Sequence, residues 1–262
     1  MRTPTMGYDT LDVTVEDGVC TAVMNRPDAG NTIDARLVEE LRAVVARCER
    51  DDGAEPVGVL VLRGSADVFC TGGDLDAAAG RAPVDPEALY DLWQRLATGP
   101  FVTVSAVRGR VNAGGMGFVA ASDIVLADRG ASFALSELLF GLFPACVLPF
   151  LARRIGMQKA HYLTLTTAPV TAETALAWGL ADALADAHDG GLDALLRRHL
   201  MRLRRLGKPA VGRYKRYAAG LDAELERCKP AALAANRALF ADPEVQRNIR
   251  RYVTEMKFPW EP

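Results

Sequence analysis

VNAGGMGFVAASD, residues 111–123, places an asparagine and three glycines at the head of an apolar run and carries no acid before Asp123. Glycine lets a backbone approach a ligand closely and leaves its N–H groups free to point outward. On either side lie FVTVSAV (101–107) and DIVLAD (123–128), which lack polar alternation and read as strands buried on both faces. Strand, glycine loop with a short helix, then strand implies a right-handed parallel βαβ unit. In such sheets ligands bind at the carboxyl ends of the strands.

The pattern extends outward. VGVLVL (57–62) is a further doubly buried strand, and a second glycine loop, VFCTGGDL (68–75), follows it. Upstream, LDVTVED and VCTAVMN flank Asp17-Gly18, a hairpin signal. NRPDAGNTID then supplies turn residues. From Ile33 to Cys48 apolar residues recur at helical spacing, with Thr32 or Asp34 as the N-cap and an end near residues 51–53. A helix over Asp85–Ala97 starts with Asp85-Pro86 in cap and first-turn positions. After about residue 145 the strands largely stop and successive helices follow. Arginine becomes frequent near residue 200, which predicts a core over 1–200 and a helical region over 201–262.

Composition narrows the function. With 262 residues, 50% hydrophobic and 24% charged, the chain can bury a large core. Its net charge of -2 gives no global field for nucleic acid or an anionic membrane. The sequence shows neither a signal-peptide core nor the roughly 18 uninterrupted apolar residues of a membrane span, so a cytoplasmic protein is expected. Cys20, Cys48, Cys70, Cys146 and Cys228 are scattered through apolar runs and read as reduced core thiols. No cysteine–histidine spacing suits a metal, and none is expected. RRHLMRLRRLGK (197–208) reads as an amphipathic helix with a solvated basic face, the alternative being a dock for an acidic carrier protein or a phosphate.

Each glycine loop alone could be a tight turn. GxxxxGK[ST] and GxGxxG are absent and neither loop holds a Lys, so a nucleotide phosphate cradle is poorly supported. Two such loops on neighbouring strands instead suggest a pair of N–H donors for an oxyanion.

NRPDAGN (25–31), FCTGGDL (69–75), VNAGGMGFVAASDIVLA (111–127) and SFALSELLFGLFP (132–144) resemble, in order and spacing, signature blocks of the crotonase (enoyl-CoA hydratase/isomerase) superfamily. TAETALAWGLAD (171–182) extends the likeness over nearly the whole chain. The resemblance implies an α/β spiral of ββα units with a helical C-terminal trimerisation region. It also implies an acyl thioester substrate on a phosphopantetheine arm and no further cofactor. The oxyanion hole falls on the N–H groups of Gly73 and Gly114, each such donor typically worth about 2.7 to 4 kcal/mol in the transition state.

Hydratases of this superfamily usually carry two glutamates. Here the first falls on Gly117 and the second on Glu137, so one carboxylate must do the work. Beside Leu135, Leu138, Leu139 and Phe140 it would lose solvation, which raises its pKa and makes it a better acceptor of a carbon-bound proton. Without the resemblance, Glu137 reads as a helix-start acid with Ser136 as cap. Asp74 and Asp76 read as caps of a helix after GGD, while Asp74 and Asn112 also sit where substrate would pass.

YDLWQRLATGPFVTVSAVRGRVNAGG and SELLFGLFPACVLPFLARRIGMQKAHYLTL are similar to the hydratase-like dehydratases of polyketide β-branching cassettes, the Gly117 replacement included. That implies loss of water from 3-hydroxy-3-methylglutaryl on an acyl carrier protein, giving the 3-methylglutaconyl thioester. A homotrimer or hexamer is expected. The distal carboxylate needs a polar partner, with Arg81, Arg108, Lys159, Tyr90 and His161 as candidates and Trp93 as a pocket wall. The alternatives are an enoyl isomerase, a methylglutaconyl decarboxylase, or a noncatalytic protein of this fold that binds an acyl carrier or RNA.

Overall fold

The computed structural model describes residues 7–50, 56–74, 84–186, 188 and 190–261. The hairpin forms as read: β1 (Leu11–Glu16) and β2 (Val19–Met24) pair antiparallel. Asp17 and Gly18 both take positive φ, 50° and 73°, as a tight two-residue turn requires. Strand β2 then pairs in parallel with β3 (Val59–Arg63), followed by β5 (Val102–Val107), β7 (Ile124–Ala127) and the two-residue β10 (Ala183–Leu184). The six strands run in the order β1-β2-β3-β5-β7-β10.

A second sheet departs from the sequence reading. Residues read as the starts of the glycine loops lie instead in β4 (Val68–Cys70) and β6 (Arg110–Asn112), which are joined by β8 (Ser132–Ala134), all three parallel, with β9 (Val170–Thr171) antiparallel at the edge. The chain therefore leaves each long strand, turns a corner, and enters a short one. At one corner Gly109 has φ +64° and a Cβ there would collide with the Asp67 carbonyl, so no other residue fits. The glycine loops thus leave the second sheet, not the first.

Helix α1 (Ala35–Glu49) is capped by Asp34, whose side chain accepts from Leu37 N, and buries Leu37, Leu41, Val44 and Val45. In α2 (Pro86–Thr98), Asp85 caps through Glu87 N and Pro86 opens the first turn. The short α3 (Gly115–Ala121) joins β6 to β7 and is buried throughout. Tyr90 and Trp93 of α2 pack on Phe150 of α4 (Leu148–Ile155), and Trp93 meets Phe118 edge-on at 6.0 Å. Such aromatic pairs add about 0.5–1.5 kcal/mol each beyond the area they bury.

Helices α5 (Met157–Thr166), α6 (Ala172–Trp178) and α7 (Gly191–Leu203) follow. Leu192, Leu195 and Leu196 of α7 point inward, while Arg197 and Arg198 lie in solvent, the amphipathic arrangement expected of the basic run. The last three helices, α8 (Lys208–Leu221), α9 (Glu224–Ala241) and α10 (Pro243–Glu255), belong to 201–262. They are not packed apart: Leu225, Ala232 and Leu233 share one core with the strands. Lys215 of α8 is 6% exposed and gives its Nζ to Asp123 at 2.6 Å, Phe101 O at 2.9 Å and Leu96 O at 3.1 Å. No cysteine is paired; four are buried and Cys228 is half-buried.

Candidate active site

The turn NRPDAGN sets the first glycine loop. Asn31, at φ 50° and 1% exposed, accepts from Arg26 N with Oδ1 and donates from Nδ2 to Val68 O (3.0 Å) and Phe69 O (3.1 Å). Arg26 in turn pairs with Asp34 at 2.6 Å. Across the same seam Thr71 N donates to Gly30 O, Ile33 N to Gly72 O, and Asp74 N to Ile33 O. These bonds fix the backbone on both sides of Gly73.

The second loop backs onto the first. Gly72 has φ +95°, and a Cβ there would lie 2.6 Å from Ala113 Cβ and 3.0 Å from Gly114 N. A Cβ on Gly73 would meet nothing within 4 Å, so that position opens into free space. Gly114 is the N-cap of α3, where helical N–H groups have no carbonyl partner. Among the described residues neither the Gly73 nor the Gly114 N–H is given to a backbone carbonyl.

Both loops border a cavity of about 740 Å³, a size suited to a small-molecule substrate. Trp93 of α2, Asn112 of β6, the short 3₁₀ turn Glu137–Phe140 and residues of α9 and α10 complete the wall. Glu137 is the first residue of that turn, and its Oε2 is buried with no hydrogen-bond partner. Burial pushes its carboxyl up to about 7, although its own N–H and that of Ser136 pull the other way. Ser136 does not cap the turn; its hydroxyl accepts from Asn112 Nδ2 at 2.8 Å. A carboxyl near neutrality, with one oxygen unpartnered and on a residue that lines a cavity, can take and return a proton.

At Gly117 a Cβ would stand 2.7 Å from Trp93 Cη2, with Cζ2 and Cε2 closer still. The indole occupies the room that a side chain at residue 117 would need. Trp93 Nε1, Asn112 Oδ1 and Glu137 Oε2 are the buried side-chain polar atoms without a partner among the described residues, and all three residues line this one cavity.

Of the residues expected at the site, Gly73, Gly114, Glu137, Asp74, Asn112 and Trp93 come together around the cavity. Two do not. Tyr90 is buried in the core and donates its hydroxyl to Leu225 O at 2.6 Å, and His161 is exposed on α5. Arg108 pairs with Asp193 at 2.8 Å, and Lys159 reaches Trp178 O. Neither lines the cavity. Arg81, Asp76 and the helix expected to start there lie outside the described residues. Missing from the sequence reading were Asn236, Arg237 and Phe240 of α9 and Tyr252 of α10, which close the cavity from the C-terminal helices. Among the described lining residues Arg237 is the one cation.

Residues 14–262 match the enoyl-CoA hydratase/isomerase family model. The chain belongs to that family. As a family member it is an enzyme with hydratase- or dehydratase-like activity, built on the crotonase-type α/β fold with a helical C-terminal region. It is 50% identical over 260 residues, 97% of each chain, to the bacillaene synthase dehydratase PksH of Bacillus subtilis. The crystal structure of the B. subtilis polyketide biosynthesis enoyl-CoA hydratase pksH superposes with a TM-score of 0.90, covering 97% of this chain and all of that one (100%). The 1,2-epoxyphenylacetyl-CoA isomerase of Escherichia coli is 33% identical over 175 residues, 63% of this chain and 66% of that one. Among the described residues no helix is long and apolar enough to cross a membrane, and no group of three or more His, Cys, Asp or Glu could hold a metal ion.

Proposed function

We propose that the enzyme removes water from 3-hydroxy-3-methylglutaryl carried on the phosphopantetheine arm of an acyl carrier protein, giving the 3-methylglutaconyl thioester. The observation that carries this reading is the unpartnered, buried Oε2 of Glu137 on the wall of the same cavity as Gly73 and Gly114, whose N–H groups go to no backbone carbonyl among the described residues. The dehydratase name of the B. subtilis relative, at 50% identity over 97% of the chain, supports it.

The thioester oxygen accepts from Gly73 N–H and Gly114 N–H. Glu137 removes a proton from C2, and the electron pair left by that C–H bond moves onto the thioester oxygen, where the two amides stabilise it. The enolate then collapses: a C2=C3 double bond forms, the C3–O bond breaks, and the oxygen takes its proton back from Glu137 and leaves as water. One acid carries one proton and ends as it began.

The substrate's distal carboxylate would meet Arg237 at the cavity wall. Arg237 is half in solvent and shares Glu87 at 3.4 Å, so its contribution is that of a screened pair. Arg237→Met should raise KM for the hydroxymethylglutaryl thioester roughly three- to tenfold, and leave KM for the uncharged 3-hydroxy-3-methylbutyryl thioester within about twofold. Equal effects on both would remove Arg237 from carboxylate binding.

The reading also includes self-association as a homotrimer or hexamer. Met157, Tyr162 and Leu165 on α5 are each more than half exposed, apolar surface that another copy would cover. The deciding assay is incubation with hydroxymethylglutaryl-carrier protein and mass spectrometry of the carrier. Loss of one water supports dehydration; a product of unchanged mass with a moved double bond from an enoyl substrate would instead support isomerisation.

A further inference from the structure

We infer that the Trp93 indole N–H holds the leaving 3-hydroxyl oxygen, and that Asn112 Oδ1 accepts that hydroxyl's hydrogen. The inference rests on the dehydration reading and assigns the half of the reaction that Glu137 and the two amides leave uncovered.

Buried polar atoms are nearly always paired, because a donor or acceptor stripped of water and left alone is destabilising. Among the described side chains the exceptions are one donor, Trp93 Nε1, one neutral acceptor, Asn112 Oδ1, and the carboxylate oxygen Glu137 Oε2, on three residues lining one cavity. A hydroxyl that must depart has matching needs: an acceptor for its hydrogen, a donor for its oxygen as charge builds there, and an acid to return the proton. Trp93 is 1% exposed and is held by edge-on contacts to Phe118 and Phe150, so the indole keeps its orientation. The six-membered edge of the ring, Cζ2, Cε2 and Cη2, crowds the Cβ position of Gly117, which sets the indole against α3, the helix whose N-cap is Gly114. Asn112 is fixed through Nδ2 to Ser136, the residue before Glu137 in the chain. The indole donates a hydrogen bond and transfers no proton; the proton on the departing water still comes from Glu137.

Two measurements test this. In the Trp93→Phe variant, which keeps an aromatic ring against Phe118 and Phe150, kcat for dehydration should fall roughly 10- to 100-fold, the scale of a lost hydrogen bond to a charge-bearing oxygen. Deuterium exchange at C2 of 3-methylglutaryl-pantetheine, which has no hydroxyl to lose, should fall less than about threefold. Equal losses in both reactions, or undiminished dehydration, would overturn the inference. The second measurement needs no turnover. In ¹⁵N-labelled Glu137→Gln, the Trp93 indole resonance should move downfield with 3-hydroxy-3-methylglutaryl-pantetheine and stay in place with the 3-deoxy compound. The same response to both ligands, or to neither, would refute the contact. If the wild-type enzyme exchanges deuterium but releases no water, the dehydration reading fails first; full dehydration by Trp93→Phe defeats the Trp93 role alone.

Discussion

Glu137→Gln should lower kcat at least 100-fold and leave KM within about threefold, because the substitution keeps the shape of the side chain and removes the carboxylate proposed to take the C2 proton. The environment of Glu137 adds a pH signature. With the carboxyl at about 7, kcat/KM should rise tenfold per pH unit below that value and level off above it. Stability should run the other way. Below about 4.5, the ordinary value, the carboxyl is neutral whether the chain is folded or not, and burial makes no difference. Between about 4.5 and 7 the unfolded chain releases the proton while the folded one retains it, so the native state loses stability as the pH rises, and above 7 the loss is constant. The interval corresponds to roughly 3 kcal/mol. Glu137→Gln should therefore be more stable than the wild type at pH 8 by up to about 3 kcal/mol, with the gap closing toward pH 4.5. Urea unfolding at both pH values reads this directly. An inactive variant with no gain in stability at pH 8 would place the carboxylate in water rather than in the buried setting that raises its pKa.

The sequence was most readable where one physical signal dominated. VGVLVL, FVTVSAV and DIVLAD are apolar on both faces because helices cover both sides of their sheet, and each became a central strand. Asp17-Gly18 could hardly be anything but a hairpin turn. The second sheet was hidden because β4, β6 and β8 have three residues each, too few to display a period of two. Their glycine and asparagine neighbours then drew the reading toward loops.

At the site, Gly73, Trp93, Gly114 and Glu137, each inside a quoted sequence block, line the cavity as expected, whereas Arg237 and Tyr252, outside every block, were not legible. Helical phase explains the two misplaced candidates. Tyr90 and Trp93 are three apart on α2, yet only Trp93 borders the cavity, while the Tyr90 hydroxyl finds a backbone carbonyl on α9. On α5 the buried positions are Ala160, Leu163 and Thr164, which turns His161 outward. Arg237 lies 100 residues after Glu137 and belongs to no motif, so only the fold could bring α9 over the cavity. The absence of a glutamate at residue 117 was visible, but its steric cause, an indole from α2, was not.

That cause makes Gly117→Glu the substitution with the largest expected effect on stability. The new Cβ would collide with Trp93, and the ring cannot swing aside because Phe118 and Phe150 press on it. Overpacking of this kind costs about 1–3 kcal/mol, and helix propensity returns less than about 1 kcal/mol for replacing a glycine. A further carboxylate without a partner in this apolar setting adds several kcal/mol more. The sum, roughly 4 kcal/mol or more, is a large part of the 5–15 kcal/mol that holds a typical domain together. The collision can be separated from the charge. Gly117→Ala carries only the first part, and Trp93→Ala alone should cost about 3–5 kcal/mol by leaving a void. Together the two should destabilise less than their sum by more than about 1 kcal/mol, since removing the indole also removes the clash. Strict additivity in denaturant midpoints would mean that the ring and residue 117 do not compete for space. If they do compete, a second carboxylate can enter this site only when Trp93 leaves it, and the single acid at Glu137 is then a consequence of packing as much as of chemistry.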